Sequence, residues 1–469
     1  MMWLAQPLLR RKLHRRSRQE PGYALAIEER FGNYAAAAPP HAGHTLWLHA
    51  VSLGETRAAA PLITELHARL PNMRLLLTHG TATGRAEGAK LLRQGDLQAW
   101  LPWDTPAAVA RFLAHFRPDL GVLMETEIWP NLVAGCQAAG VKLVLANARF
   151  SDKSLRQSQR MAWLARPAYA ALTAVLAQTP PDAQRLTQMG ASVTAVLGNL
   201  KFDATPDAAQ LARGRAWRAG LRQPVIMFAS SREGEELALL SALKSFRPLA
   251  HVEKGLGVTN SIANQGQQPT AHQTPQTVQW LIAPRHPQRF DAVAALIESH
   301  GFAVQRRSRW GELGPPPATA RATSSVATTA TDTAGAPHAV PPQPTVWLGD
   351  SLGEMALYYA LADVALLGGS FEPLGGQNLI EAAACGCPVV MGPHTFNFAD
   401  AAEQAQAAGA ALRAADLPEA ADLACRTALT PSAHSAMVQA CVAFSEANRG
   451  AVAQTAGRLA ALLAANSKS

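Results

Sequence analysis

A chain of 469 residues, 48% hydrophobic and 16% charged, is too long for one ordinary core and too apolar for disorder, so two globular domains are expected. Its formal net charge of +8 points to an anionic partner: nucleic acid, a phospholipid surface or a phosphorylated small molecule. Cys136, Cys385, Cys387, Cys425 and Cys441 lack the paired spacing of a zinc ribbon, which fits a reducing, cytoplasmic setting without structural metal.

The chain opens with the apolar run MMWLAQPLL and the basic block RRKLHRRSR. The run is far short of the roughly 20 residues of a spanning helix and lacks the cleavage site of a secretory signal. Trp3 beside clustered Arg and Lys suits attachment to an anionic bilayer. A solvated basic tail is the alternative.

From residue 44 onward, short apolar runs rich in β-formers alternate with helical stretches: TLWLHAVS (45–52), MRLLLTH (73–79), LQAWLPW (97–103), LGVLMET (120–126), KLVLANAR (142–149), AVLAQ (174–178) and SVTAVLGN (192–199). Near-continuous apolar strands separated by helices predict an α/β fold, a parallel sheet covered on both faces. After a polar stretch the alternation restarts with VIMFASS (225–231), VQWLIAPR (278–285), FAVQRRS (302–308), TVWLGDS (345–351), VALLGGS (364–370) and PVVMGP (388–393). The expected organisation is a basic segment over 1–43, a doubly wound domain over 44–205 and a linker over 206–222. A second doubly wound domain follows over 223–440, then a C-terminal helix over 441–469. Segments 253–278 and 311–345, rich in Gln, Thr, Pro and Ala, read as surface insertions.

Two such domains facing a cleft place binding groups just after strands. In HAVSLGETRAAAPLI (49–63), Glu55 falls at a helix start, where the dipole favours the ionised carboxylate of a general base. A Glu that only complements the dipole is the other reading. METEIWPNL (124–132) sets Glu125 and Glu127 on one side of an extended segment, where they need cations or hydroxyl groups. Lys201 in GNLKFD or a sugar acceptor would serve; for Glu127, surface solvation is equally open. IAPRHPQRF (282–290) holds Arg285, a bidentate donor to phosphate or carboxylate, and His286, which reads better as a packing residue. GDSLGEM (349–355) puts Glu354 at a helix start. In GGSFEPLGGQNLIEAAACGCPVVMGPH (368–394), glycines and a helix start suit a phosphate, and Asn378 and Glu381 share a helical face. Glycine-rich turns without ligands are common, but the Asn-x-x-Glu pair favours a nucleotide.

Taken in order, ERFG (29–32), the SLGE turn, ETEIWPN, NARFSDKS, GNLKFD, PRHPQRF, the GE at 353–354 and the stretch from GG-x-N-x-x-E to GPHTFNF resemble the Kdo (3-deoxy-D-manno-octulosonic acid) transferases of lipopolysaccharide synthesis, over roughly residues 25–400. The resemblance implies the GT-B fold of two Rossmann-like domains. It also implies inverting transfer of Kdo from CMP-Kdo to lipid IVA at the cytoplasmic face of the inner membrane, with no nucleic acid involved. By this resemblance Glu55 is the proton acceptor, and Glu125 and Lys201 stabilise the transition state. Pro284, Arg285, Leu352, Gly353, Glu354 and the run Asn378, Leu379, Ile380, Glu381 contact CMP; Glu127, Gly376 and Gln377 are further substrate contacts. No metal or other cofactor is implied. Gln377 stands where the family usually has His: it donates a hydrogen bond but carries no charge. Many members begin with a longer apolar helix, and the two insertions are longer than the family leads one to expect. Another GT-B enzyme using a different nucleotide sugar, or a catalytically silent nucleotide- or lipid-binding relative, would share the glycine-rich features; ETEIWPN and the intact Glu55, Glu125, Lys201 and Arg285 speak against both.

Overall fold

The apolar runs become strands because helices on either side of each sheet cover them, burying the central strands on both faces and leaving the edge runs 193–196 and 303–306 partly exposed. The computed structural model describes residues 6–18, 20–35, 39–245, 278–316 and 344–465. The start MMWLA, most of the insertion at 253–278 and the centre of that at 311–345 lie outside the described residues.

Two units divide the chain, 1–204 with 448–469 and 205–447. In unit 1, β1 (Thr45–His49), β2 (Arg74–His79), β3 (Leu97–Trp100), β4 (Leu120–Met124), β5 (Lys142–Ala148), β6 (Ala174–Ala177) and β7 (Val193–Val196) form one sheet in the order β3-β2-β1-β4-β5-β6-β7, parallel throughout. Period-two alternation splits the core: Trp47 packs with Leu76, Phe112 and Leu123 on one face, Leu46 and Leu48 with Leu62, Leu66 and Leu75 on the other. Each fully buried Leu contributes about 2 kcal/mol.

Unit 2 repeats the plan. Its strands are β8 (Val225–Ser231), β9 (Gln279–Pro284), β10 (Ala303–Arg306), β11 (Thr345–Leu348), β12 (Val364–Leu367), β13 (Val389–Met391) and β14 (Ala411–Arg413), in the order β10-β11-β9-β8-β12-β13-β14, again all parallel. The doubly wound α/β class read from the sequence is therefore the fold of both units. β14 was not expected: three residues in an Ala-rich stretch carry too little pattern to stand out from the helices around them.

Three boundaries depart from expectation. Within 206–222 the chain forms helix Ala208–Ala219 of unit 2, not a linker. Gly214 lets it lie so close to helix Met355–Leu361 that a Cβ there would meet Leu357 O at 2.4 Å, and Arg218 pairs with Asp363 at 2.7 Å. Nor is 1–43 separate from the domain that follows. Helix Gln6–Ser17 buries Leu13 with Tyr23, Ala82 and Trp100, and the buried Arg30 stacks on Trp100 at 4.1 Å while donating to Gly80 O. Finally, 441–469 divides. Helix Pro431–Ala447 stays with unit 2, whereas helix Ala451–Ala464 returns to unit 1, because Ala456, Leu459 and Leu463 complete the core around Leu62 and Leu66.

The returning helix is capped from a distance. Asp203 accepts from the N–H groups of Gly450 (2.6 Å) and Val452 (2.7 Å), meeting donors that the helix itself leaves unsatisfied. Asp203→Ala is expected to cost about 2 kcal/mol, read as a lower thermal midpoint, with Asp203→Asn recovering much of the loss.

Candidate functional site

Each sheet has a switch point at which the chain leaves neighbouring strands in opposite directions, between β1 and β4 in unit 1 and between β8 and β12 in unit 2. Such points open a crevice at the carboxyl ends of the strands. The chemistry-bearing residues gather there in both units.

After β1, Ser52 caps helix Leu53–Arg69 by accepting from Glu55 N–H. The Glu55 carboxylate turns back to accept from Val51 N–H (2.9 Å) and Ser52 Oγ (3.0 Å), a variant of the capping box. The helix start does not hold this group ionised at low pH, as the sequence leads one to expect. Burial raises its pKa to about 7, assisted by the nearby Glu125 and Glu127 and opposed by the hydrogen bonds from Val51 and Ser52. A carboxylate titrating near neutrality suits a general base.

After β4, Glu125 adopts φ +57°, a left-handed conformation costing about 1–3 kcal/mol in a residue with a side chain. Its N–H donates to Ala146 O and its carbonyl accepts from Arg149 N–H, so the turn is pinned from both sides. Alternation fails here because the segment is a turn rather than a strand. Glu125 meets Lys201 Nζ at 3.0 Å, while Glu127 accepts from Trp129 Nε1 at 2.9 Å and is raised in pKa chiefly by burial. Lys201 sits in the short 3-10 helix Leu200–Asp203. Asn147 holds that helix by accepting from Leu200 N–H at 3.1 Å. Asp104 performs a like service for the WPN turn, accepting from Asn131 and Leu132. Neither Asn147 nor Asp104 was singled out from the sequence, where Asn147 is one polar residue within a strand and Asp104 one after a strand.

In unit 2, β8 ends in a bulge at Ser230, φ +56°, and its backbone approaches β12 so closely that a Cβ on Gly368 would meet Ser230 O at 2.3 Å. The glycine-rich turn closes on itself: Gly376 N–H donates to Gly369 O and Gln377 N–H to Gly368 O. Asn397 of the GPHTFNF segment braces it, donating through Nδ2 to Leu374 O at 3.0 Å. Asn378 caps helix Leu379–Ala384 by accepting from Ile380 N–H. Leu379 and Ile380 are 1% exposed, so their side chains belong to the core. Glu381 is half-buried three residues beyond the cap.

Pro284 ends β9, and the exposed Arg285 donates its N–H to Ser231 O at 3.0 Å. His286 is pushed below its ordinary pKa by burial and by Arg232, Arg285 and Arg289, in keeping with a neutral packing residue. Glu354 is engaged by Arg307 at 2.8 Å and by Ser351, Gly353 O accepts from Gln210, and Leu352 is 72% exposed. Two residues the sequence did not flag hold the centre of this unit. The buried Glu235 accepts from the N–H groups of Arg232 and Gly369 (both 2.8 Å) and of Phe371 (3.3 Å), and Glu236 takes Arg289 in a two-pronged pair. Their signal is the string SSREGEE that closes β8 and continues past it.

Known proteins resemble the chain in sequence and in fold. The family model described as 3-deoxy-D-manno-octulosonic-acid transferase (kdotransferase) matches residues 26–204. The chain is 45% identical to a 3-deoxy-D-manno-octulosonic acid transferase of Bordetella pertussis, over 96% of this chain and 95% of that one. It is 29% identical to the one of Haemophilus influenzae, over 85% and 82%. Among solved structures, a glycosyltransferase of Rickettsia africae superposes with a TM-score of 0.52 at 12% identity, covering 90% of this chain and 99% of that one. At that identity the likeness is one of fold, GT-B.

Proposed function

The chain belongs to the 3-deoxy-D-manno-octulosonic acid (Kdo) transferase family, and on that premise we propose that it transfers Kdo from CMP-Kdo to the lipid A precursor lipid IVA, with inversion. The observation that carries this reading is Glu55, with a pKa near 7, beside the Glu125–Lys201 ion pair.

Glu55 takes the proton of the acceptor hydroxyl as its oxygen bonds to the anomeric carbon of Kdo. The bond from that carbon to the phosphate oxygen breaks and CMP departs with the electron pair; one displacement inverts the centre. Lys201, oriented by Glu125, supplies positive charge where negative charge develops, and the pinned turn at Glu125 keeps that pair in place before substrate arrives. In unit 2, Pro284, Arg285, Leu352–Glu354 and Asn378–Glu381 hold CMP, with Leu379 and Ile380 acting through the backbone. Gly376 and Gln377 border the donor, Gln377 as a neutral hydrogen-bond donor, and Glu127 borders the acceptor. Arg285 and backbone amides meet the leaving charge, and neither metal nor cofactor takes part.

The acceptor is a lipid, and unit 1 carries a surface suited to an anionic bilayer such as the inner membrane. Met161 (51%), Trp163 (79%) and Leu164 (36%) are exposed on or beside helices Asp152–Arg160 and Ala162–Ala170, among the exposed Arg156, Arg160 and Arg166. Elsewhere in unit 1, helix Gln6–Ser17 exposes Arg11, Lys12 and Arg15. Among the described residues no helix is long and apolar enough to cross a membrane; the exposed Trp163 and its basic neighbours support attachment at the bilayer surface. Trp163→Ser should lower affinity for phosphatidylglycerol vesicles about tenfold, the worth of one buried aromatic, measured by co-sedimentation.

The direct test incubates purified protein with CMP-Kdo and lipid IVA and follows CMP release and the mass of the lipid. A gain of Kdo mass is expected. CMP release without it, or neither, overturns the proposal.

A further inference from the structure

We propose that Arg232 binds the carboxylate of the donor's sugar, and so selects an acidic sugar over a neutral one. The proposal rests on the reading of unit 2 as the CMP-Kdo site.

Such a donor carries two separate anionic groups, the phosphate that joins sugar to nucleoside and the carboxylate of the sugar. One guanidinium, Arg285, is assigned to the phosphate. A second cation is needed close by, because a buried carboxylate left unpaired would be costly to desolvate. The cations at the β8–β12 crevice are few. Arg289 is committed to Glu236 through both of its terminal nitrogens, at 2.9 and 3.0 Å. His286 lies among three guanidinium groups and, with burial, is driven toward its neutral form. Arg232 remains: it is half-buried, and its guanidinium has no hydrogen-bond or ion-pair partner among the described residues.

Its placement is as telling as its charge. Arg232 follows β8 directly, and Arg285 is tied to the neighbouring Ser231 by its own N–H, so the two cations flank adjacent strand ends. The Arg232 stem lies beside Gly369: a Cβ built there would be 3.7 Å from Arg232 Cγ and 3.1 Å from Gln377 Nε2. A neutral amide donor and the stem of an arginine thus border the same glycine, whose missing side chain leaves room between them. Glu235 fixes this arrangement through backbone alone, accepting from the N–H groups of both Arg232 and Gly369 at 2.8 Å. The side chain of Arg232 is left for a ligand. A planar guanidinium matches a carboxylate with two parallel hydrogen bonds, which an ammonium does not reproduce.

CMP lacks the sugar carboxylate, which supplies the test. Arg232→Gln and Arg232→Lys are compared with wild type for the KM of CMP-Kdo and for the inhibition constant of CMP, with thermal midpoints recorded. Arg232→Gln is expected to raise the KM at least tenfold and to leave CMP inhibition within twofold, with Arg232→Lys in between. Equal losses for both ligands would place Arg232 on the phosphate instead, and no loss for either would remove it from the site; each overturns the proposal. Wild-type protein that neither turns over CMP-Kdo nor is inhibited by CMP overturns the parent reading and this one with it.

Discussion

Glu55→Gln is expected to lower kcat about 10²–10⁴-fold, the usual range for losing a general base, while CMP inhibits the variant as it does wild type. The substitution keeps the side chain's volume and its acceptor toward Val51 N–H, but removes the atom that receives the proton. Wild-type kcat/KM should rise with pH and level off above about 7, since burial places the pKa there and only the ionised form accepts a proton. Stability runs the other way. The folded-state pKa is raised above the ordinary 4.5, so between these values the folded state binds more protons than the unfolded one. The stabilisation is complete below the lower value and is lost as pH climbs through the higher. Gln has no such dependence, so its thermal midpoint should gain on that of wild type from pH 5 to pH 8. A variant with wild-type turnover would remove Glu55 from its assigned role.

The largest stability effect is expected at Glu235. At 1% exposure its carboxylate accepts from Arg232, Gly369 and Phe371 N–H groups. Burial raises its pKa and those three donors pull it down. Glu235→Ala leaves the donors without an acceptor at about 1–3 kcal/mol each, for a loss of at least about 3 kcal/mol in urea unfolding. The glycine-rich turn loses its anchor, so the inhibition constant for CMP should rise more than tenfold. Glu235→Gln keeps the volume but points a donor at other donors, and should recover only part of either loss. A loss under about 1 kcal/mol for Glu235→Ala would mean that the turn is held by Gly376 and Asn397 alone.

Much of this was legible in the sequence because it is written in strand-length apolar runs and in residues at their ends. Glu55, Glu125 and Lys201 lie after β1, β4 and β7, which is where periodicity places them. Of their mutual geometry only the pairing of Lys201 with Glu125 was anticipated. The left-handed turn at Glu125 breaks the alternation on which its direction was inferred, and nothing local announces a positive φ at a glutamate. The rise in the Glu55 pKa comes from packing and from carboxylates far along the chain, whereas sequence shows only the helix start that works against it. Glu235 was missed because hydrogen bonds from backbone N–H groups more than 130 residues away leave no periodic trace, and Arg232 because a single Arg after a strand carries no pattern of its own. The helix over 208–219 was hidden by its polarity: most of it faces water, and it docks through Gly214, Trp217 and the Arg218–Asp363 pair.

The division of the chain sets an order of events during synthesis. Unit 1 needs residues 448–469, so all of unit 2 leaves the ribosome before the helix that covers Leu62 and Leu66 exists. Domains generally fold as they emerge, and unit 2 is complete within 205–447. It is thus free to reach its native state while unit 1 still lacks one wall. Asp203, waiting at the edge of that gap, receives its two N–H partners only when the last helix arrives.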